Sequence, residues 1–296
     1  MLKPFLLVVN PNAGRGEYKI GFSDAILELS RAGYAPTVYF TKGPGDATEF
    51  VASCGSSYDT VACIGGDGTL SEVLSGLMKL EKRPKLGYIP MGTTNDVATT
   101  LDIPKNNSLA AVRKMLAGEA HPYDVGGFGD NEYFSYIAAF GAFTEISYTT
   151  PQDQKKVLGH LAYVLQGALA LPRITSVNAR VEYDSGIFEG SLIYGSMSNS
   201  TSVAGIIKLK EDMVRLGDGF SELVLVKEPK SPEAFADLVS SVLSRAYDDE
   251  HLLIIQTKTA HFEFEKPVAW TRDGEAGGEH KDITLRNHKA PIEFLF

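Results

Sequence analysis

Through the first 120 residues, short apolar runs alternate with segments of helical spacing. Residues 5–10 form a continuous apolar run ending on Asn10, the pattern of a strand buried on both faces. A loop is expected over 11–16. Residues 17–32 place Ile20, Ile26, Leu27 and Leu29 at helical intervals, and Gly33 supplies a stop. A second strand is expected over 36–40. A helix begins at Asp46, where Glu49 three residues on reads as a capping box. The third strand, 60–64, leads into a helical pattern over 70–77, with Thr69 and Glu72 spaced as a second capping box. Residues 86–89 give a fourth strand, and 96–101 and 108–117 two further helical segments. Alternation of this kind predicts a parallel sheet covered by helices.

The pattern changes near His121 and Pro122. Residues 133–140, 176–183, 188–197, 222–226, 252–257, 261–264 and 292–296 are short segments rich in β-branched and aromatic residues, several of them alternating. They predict antiparallel strands in a sandwich or barrel. Helical patterns over 157–171 and 232–245 interrupt them. The expected fold is therefore α/β plus mainly β. A parallel α/β domain would span 1–122 and an antiparallel β-sandwich domain 123–296, with the extreme C-terminus able to return to the first.

Net charge of −9 argues against an electrostatic nucleic-acid binder and means that any membrane contact needs a local patch. Candidate patches are Lys155 and Lys156 before the 157–171 helix, Lys79 to Lys85, and Lys208 with Lys210, although a charge run is usually a solvated face. The helix is apolar on most faces, and such a helix is more often buried. Cys54 and Cys63 show no metal-ligand spacing, and Cys63 sits in a core strand, which suits a reducing, cytoplasmic setting. Pro4 breaks the N-terminal apolar run too early for a signal peptide, and no run reaches the ~18–20 residues of a membrane span. The six histidines show no ligand spacing.

Chemistry concentrates in four segments. Three lie at the carboxyl ends of predicted parallel strands, where open α/β sheets bind ligands: Asn10-Pro11-Asn12-Ala13-Gly14-Arg15-Gly16, Gly65-Gly66-Asp67-Gly68-Thr69 extending to Glu72, and Pro90-Met91-Gly92-Thr93-Thr94-Asn95-Asp96. Glycines that admit close backbone approach, followed by a helix N-terminus, make a phosphate cradle. Each loop alone could be an ordinary turn; three on one edge indicate a nucleotide site. The chain has neither a G-x-x-x-x-G-K-[ST] run nor a G-x-G-x-x-G fingerprint. The fourth segment is Trp270-Thr271-Arg272-Asp273-Gly274-Glu275. Asp-Gly is a hairpin signal, yet Asp273 and Glu275 are also the second half's best candidates for accepting a hydroxyl proton in phosphoryl transfer.

Taken in order, Asn-Pro-x-Ala-Gly, Gly-Gly-Asp-Gly-Thr, Pro-x-Gly-Thr-x-Asn-Asp and a late Asp-Gly-Glu resemble the diacylglycerol kinase catalytic domain superfamily, with a match nearest to soluble bacterial lipid kinases. The resemblance implies an ATP- and Mg²⁺-dependent kinase that phosphorylates the primary hydroxyl of diacylglycerol to phosphatidic acid between two domains. Alternatives are another glycerolipid, a sphingoid base or NAD as acceptor, or a non-catalytic nucleotide-binding regulator. It implies nucleotide contacts at Asn10, Pro11, Asn12, Ala13, Gly14, Thr41, Gly66, Asp67, Gly68, Thr69, Leu70, Ser71, Glu72 and Thr93. It implies that the base is Asp273, with Glu275 as its competitor. A structural Mg²⁺ site is implied at Arg215, Asp218 and Phe220, the first and last through backbone carbonyls, although Gly217 stands where the family often has a further Asp. Asp124 matches as well. The implied setting is cytoplasmic with transient contact to lipid at the bilayer surface, no nucleic-acid partner, and a homodimer as a further assembly to be considered.

Overall fold

The computed structural model describes residues 2–14, 21–141, 175–200, 202–203, 207–209, 214–247 and 250–296. The opening apolar run forms β1 (Lys3–Val9), whose last five residues are all buried. β1 lies between β2 (Tyr34–Phe40) and β3 (Thr60–Gly65), parallel to both, and β3 continues to β4 (Lys85–Pro90). The crossovers are α1 (Phe22–Arg31), α2 (Asp46–Cys54) and α3 (Asp67–Met78). After β4 come the short α4 (Asp96–Thr100) and α5 (Ser108–Ala117). β3 is buried at every position, as a strand of a parallel sheet covered on both faces must be. Cys63 is fully buried within it. Residues 17–20 of the first predicted helix and Arg15 and Gly16 of its loop lie outside the described residues.

The two predicted capping boxes do not form. α2 starts after Gly45 (φ 81°) and α3 after Gly66, two residues before Thr69, with no side-chain cap at either. Glu72 is turned away from its own helix. Its carboxylate accepts from Gly45 N at 2.8 Å and Ala47 N at 3.3 Å, capping the start of α2 from α3.

The rest of the chain is antiparallel until its last residues. It contains β5 (Ala120–Phe128), β6 (Glu132–Phe134), β7 (Ile137–Gly141), β8 (Val177–Tyr183) and β9 (Gly186–Ser198). A small ribbon of β10 (Ser202–Val203) and β11 (Ile207–Lys208) precedes β12 (Ser221–Lys227) and α6 (Pro232–Ser244). β13 (Leu252–Thr257), β14 (Thr259–Arg272) and β15 (Glu275–Leu295) complete it. The predicted 157–171 helix and Lys155-Lys156 fall outside the described residues.

Two long strands give this region its layered form. β9 pairs β8 through its first half and β7 and β12 through its second. β14 pairs β8 near its start and β7 near its end. The ring β7–β9–β8–β14 closes on an aromatic core, with Trp270 and Phe140 ring centroids 4.8 Å apart and Trp270 edge-on to Phe262 at 5.1 Å. β14 bends where Pro267 has no amide to offer; its pairing with β15 jumps from Glu263–Asp282 to Val268–His280.

β15 ties the two regions together. It pairs β14, then β5, and ends parallel to β4 with Phe294 opposite Leu86. Ile292 and Phe294 belong to the same buried cluster as Leu86, Tyr123 and Val125. The C-terminus thus enters the parallel sheet, and residue 122 lies inside β5, which pairs with β15 over much of its length. Because Phe294 is fully buried where the two regions join, Phe294→Ala should lower the stability measured by urea unfolding by about 3–5 kcal/mol, the usual cost of a core Phe truncation.

Candidate active site

The three loops meet at the carboxyl ends of β1, β3 and β4. Asn10 N donates to Ile64 O at 2.9 Å, and Asn10 Nδ2 donates to Thr69 Oγ1 at 3.1 Å. Asn12 N donates back to Asn10 Oδ1 at 3.0 Å, which shapes the turn through Pro11, Ala13 and Gly14. Met91 N donates to Gly65 O at 2.7 Å and joins the third loop to the second. These loops press backbone to backbone. A Cβ on Gly92 would stand 2.5 Å from Gly66 Cα, so a side chain there would separate them. Thr41 N donates to Val9 O at 2.9 Å on the neighbouring strand end, and Thr93 is exposed on the rim. Helix geometry leaves the amides of Asp67, Gly68 and Thr69 without intrahelical acceptors at the start of α3.

Three of the residues expected at the nucleotide have side chains engaged within the fold. Leu70 is fully buried in the core, and its amide donates to Gly66 O at 3.1 Å within the first turn of α3. Glu72 is held by the amides at the start of α2. The Ser71 side chain lies close enough to Asp273 to lower its pKa. These three build the walls rather than line the cleft: one anchors the helix, one fixes the 41–45 connection, and one reaches the opposite hairpin.

Acidic groups crowd beneath the loops. The Asp67 carboxylate accepts from Asp96 N at 2.9 Å and, at 3.4 Å each, from Val97 N and the Tyr88 hydroxyl, capping α4 from α3. Burial pushes its pKa up to about 7; the Asp96 and Asp273 charges add to this and the backbone donors oppose it. Burial also raises Asp96, while the Tyr136 hydroxyl, donating to Asp96 Oδ2 at 3.2 Å, pulls it down. Asn95, in the left-handed region at φ 52°, braces the third loop; its Oδ1 accepts from Gly92 N at 2.9 Å and the Tyr88 hydroxyl at 3.1 Å.

The Asp-Gly-Glu segment is both a hairpin and part of the site. Asp273 and Gly274 have φ of 49° and 82° between the paired Arg272 and Glu275, as in a two-residue hairpin turn with both central residues left-handed. The Asp273 carboxylate is buried and encircled by donors. Oδ2 accepts from Ser135 N at 2.6 Å and Ser135 Oγ at 3.0 Å; Oδ1 accepts from Tyr136 N at 3.0 Å and Ile137 N at 3.1 Å. Desolvation raises its pKa and these bonds lower it. A carboxylate so occupied has little capacity for a further proton donor. Glu275 is exposed, and its Oε1 would lie 3.3 Å from a Cβ built on Gly68. Of the two carboxylates, Glu275 faces the glycine loop, while Asp273 is engaged by backbone amides. Ser135, Tyr136 and Tyr88 escaped sequence reasoning because isolated hydroxyl residues in strand-like segments carry no motif.

A second polar cluster surrounds Asp124, buried where β5 meets β15. Gly219 N donates to its Oδ2 at 2.7 Å, Asn287 Nδ2 to Oδ2 at 3.2 Å, and Ala290 N to Oδ1 at 2.6 Å. The Ala290 amide reaches it because the β15 register breaks between His288 and Ile292, with Ala290 at φ 44°. Asp218 Oδ1 accepts from Phe220 N at 2.9 Å across the same turn. Burial raises the Asp124 pKa and the Asp218 charge adds to it. Asn287 Oδ1 is buried with no partner among the described residues. Two neighbouring carboxylates and an unpartnered amide oxygen, beside the turn that carries Arg215 and Phe220, are oxygen donors of the kind a hard divalent cation takes.

Other expectations lie away from the cleft. Lys79, Lys82, Arg83 and Lys85 occupy the α3–β4 connection at the amino end of β4, opposite the loops. Lys210 is outside the described residues. His261, Glu263 and Asp282 come within ion-pair distance on the β14–β15 surface, at 3.5 and 3.6 Å from His261 Nε2, a cross-strand grouping that linear spacing does not show.

The state of Asp67 has a measurable consequence. Stability tied to its retained proton is fully present below pH 3.8 and is lost as pH rises through about 7. In metal-free buffer the melting temperature should therefore fall between pH 5 and pH 8. Asp67→Asn should flatten that fall by about 3 °C, corresponding to ~1 kcal/mol for a chain of this order of size, as read by thermal unfolding across the pH series.

A family model described as the diacylglycerol kinase catalytic domain matches residues 4–128. Diacylglycerol kinases of Staphylococcus aureus strains bovine RF122 / ET3-1 and MRSA252 are each 35% identical over 282 residues, which covers 94% of this chain and 88% of theirs. A crystal structure of a diacylglycerol kinase from Bacillus anthracis str. Sterne shares the fold, with a TM-score of 0.77 at 24% identity over 99% of this chain and 97% of that one. With three nucleotide-type loops facing an Asp-Gly-Glu hairpin and this extent of similarity, the chain belongs to the diacylglycerol kinase family of lipid kinases.

Proposed function

We propose that the protein transfers the terminal phosphoryl group of ATP to the primary hydroxyl of diacylglycerol, giving phosphatidic acid, in a Mg²⁺-dependent reaction. The observation that carries this reading is the position of Glu275. Its carboxylate faces the first turn of α3 across from the three loops, while its neighbour Asp273 is locked in a nest of amides. Phosphate oxygens would take the α3 amides of residues 67–69 and the loop amides around Asn12 and Gly92. Mg²⁺, when bound, neutralises charge developing on the phosphates; the raised Asp67 and Asp96 carboxylates are the groups here that would hold it. Glu275 would accept the hydroxyl proton as the acceptor oxygen attacks. A carboxylate is a weak base towards an alcohol, so most of the rate would come from alignment of the two substrates.

The acceptor would be presented at a bilayer surface. No helix among the described residues is long and apolar enough to cross a membrane, so the contact would be peripheral. The Lys79–Lys85 run, on the edge away from the loops, points less well to that surface than any basic group near the cleft mouth would.

The test is incubation of the purified chain with labelled ATP, Mg²⁺ and mixed micelles of diacylglycerol, with a sphingoid base and NAD in parallel. Phosphatidic acid is the expected product. Phosphorylation of only the sphingoid base or NAD, or of none of the three, would overturn the assignment. Glu275→Gln should lower kcat by ~10²–10⁴ while leaving ATP affinity within a few-fold. Asp273→Asn should lose activity together with stability, by roughly 1–3 kcal/mol, because an amide returns only part of the acceptor capacity its four donors require.

A further inference from the structure

Tyr136 stands in the two-residue connection between β6 and β7, and each of its polar groups has a separate partner. Its amide donates to Asp273 Oδ1 at 3.0 Å, its carbonyl accepts from Asn199 N at 2.9 Å, and its hydroxyl donates to Asp96 Oδ2 at 3.2 Å. The ring, half-buried, packs against the core of the parallel sheet and also against the cluster that β9, β12 and α6 share. Backbone bonds at one end and packing along the ring leave the hydroxyl little freedom, so it meets Asp96 at one place.

Asp96 and Asp67 differ in what they have left to offer. Both oxygens of Asp67 are engaged, Oδ2 by Asp96 N and Oδ1 by Val97 N and the Tyr88 hydroxyl. Asp96 is half-buried, its Oδ2 takes the Tyr136 hydroxyl, and its Oδ1 has no hydrogen-bond partner among the described residues. The terminal torsion of an aspartate is broad and roughly two-fold. A donor fixed on one oxygen sets the plane of the carboxylate and with it the direction of the other oxygen. Carboxylates that ligate metals are held in this way by hydrogen bonds from outside the metal's own shell.

We infer that Tyr136 is a positioning residue, whose hydroxyl turns Asp96 so that Oδ1 stays open to the divalent cation that accompanies the nucleotide. This rests on the kinase reading above and deepens it by naming the residue that prepares a ligand for the cation. Because the same residue holds Asp273, the orientation of Asp96 is tied to the hairpin that carries Glu275. The hydroxyl comes from the antiparallel region and the carboxylate from the parallel one, so each region completes the other's site.

Tyr136→Phe removes the hydroxyl and keeps the ring. The experiment measures ATP binding to the full chain by calorimetry across a Mg²⁺ series, without acceptor. In Tyr136→Phe the Mg²⁺ concentration that gives half of the metal's effect on ATP affinity should rise about 10-fold, while ATP affinity in EDTA should match wild type. Asp96→Asn should raise that midpoint by itself, and adding Tyr136→Phe to it should raise it no further, since the two groups act as one. A midpoint unchanged in Tyr136→Phe overturns the inference, and a lower melting temperature beside it would mark the hydroxyl as a structural brace. A lowered midpoint overturns it too, because a hydroxyl that only draws charge from the carboxylate would have that effect. An equal rise with and without Asp96→Asn would place the action elsewhere and likewise overturn it. If wild type shows no Mg²⁺-dependent ATP binding, the kinase reading and this inference fall together. If it binds ATP with Mg²⁺ and shows the expected shifts but phosphorylates no acceptor, the kinase reading alone fails.

Discussion

The interaction on which the rest of the site depends is the enclosure of the Asp273 carboxylate by Ser135, Tyr136 and Ile137. Three consecutive amides and one hydroxyl converge on one side chain. A buried carboxylate without partners would cost several kcal/mol; with four donors it becomes a fixed joint. The joint pins the β14–β15 hairpin to the start of β7, and the hairpin in turn aims Glu275 at the glycine loop. Tyr136 extends the joint, because its amide holds Asp273 while its hydroxyl holds Asp96 below the third loop. Both walls of the cleft are thereby referred to one residue.

A similar economy recurs at the other acidic groups. Asp67 caps α4, Glu72 caps α2, and Asp124 gathers the Gly219 turn, the Asn287 amide and the Ala290 bulge. In each case a carboxylate from one element supplies the acceptor missing at another element's end. This explains why the loops stay in register without disulfides among the described residues. It also stores electrostatic cost at the cleft. Burial raises the pKa of Asp67, Asp96 and Asp273, and the Asp96 and Asp273 charges raise that of Asp67 further, a site held away from its own stability optimum by the surrounding core.

Much of this was legible in the chain itself. The strand–helix alternation up to residue 117 follows from apolar period and glycine stops, and the three loops fall at strand ends because the parallel sheet puts them there. Asp-Gly between strand-like flanks announced the hairpin. What could not be read was the direction of side chains between elements far apart in sequence. Glu72 matched a capping box for its own helix and caps another. Asp273 and Glu275, two residues apart, are placed differently because Asp273 takes up a left-handed turn position with its carboxylate inward, a choice decided by amides 136–138 residues away. Linear pattern carries information about faces and ends; partnership across a sheet requires the register.

That register also bears on how specificity divides between the two regions. The nucleotide side is built from backbone amides and glycines, which recognise phosphate shape and are indifferent to what the phosphate is transferred to. The antiparallel region relies instead on side chains whose directions strand register sets. There the strands β7, β9 and β12 lie side by side. A substitution that shifts the pairing of β9 by one residue would turn Ser198 to the aromatic side and Met197 to the opposite face. The direction of each side chain in this region is thus a property of strand register, and the long, shared strands β9 and β14, each held by partners in both layers, are what keep that register from slipping.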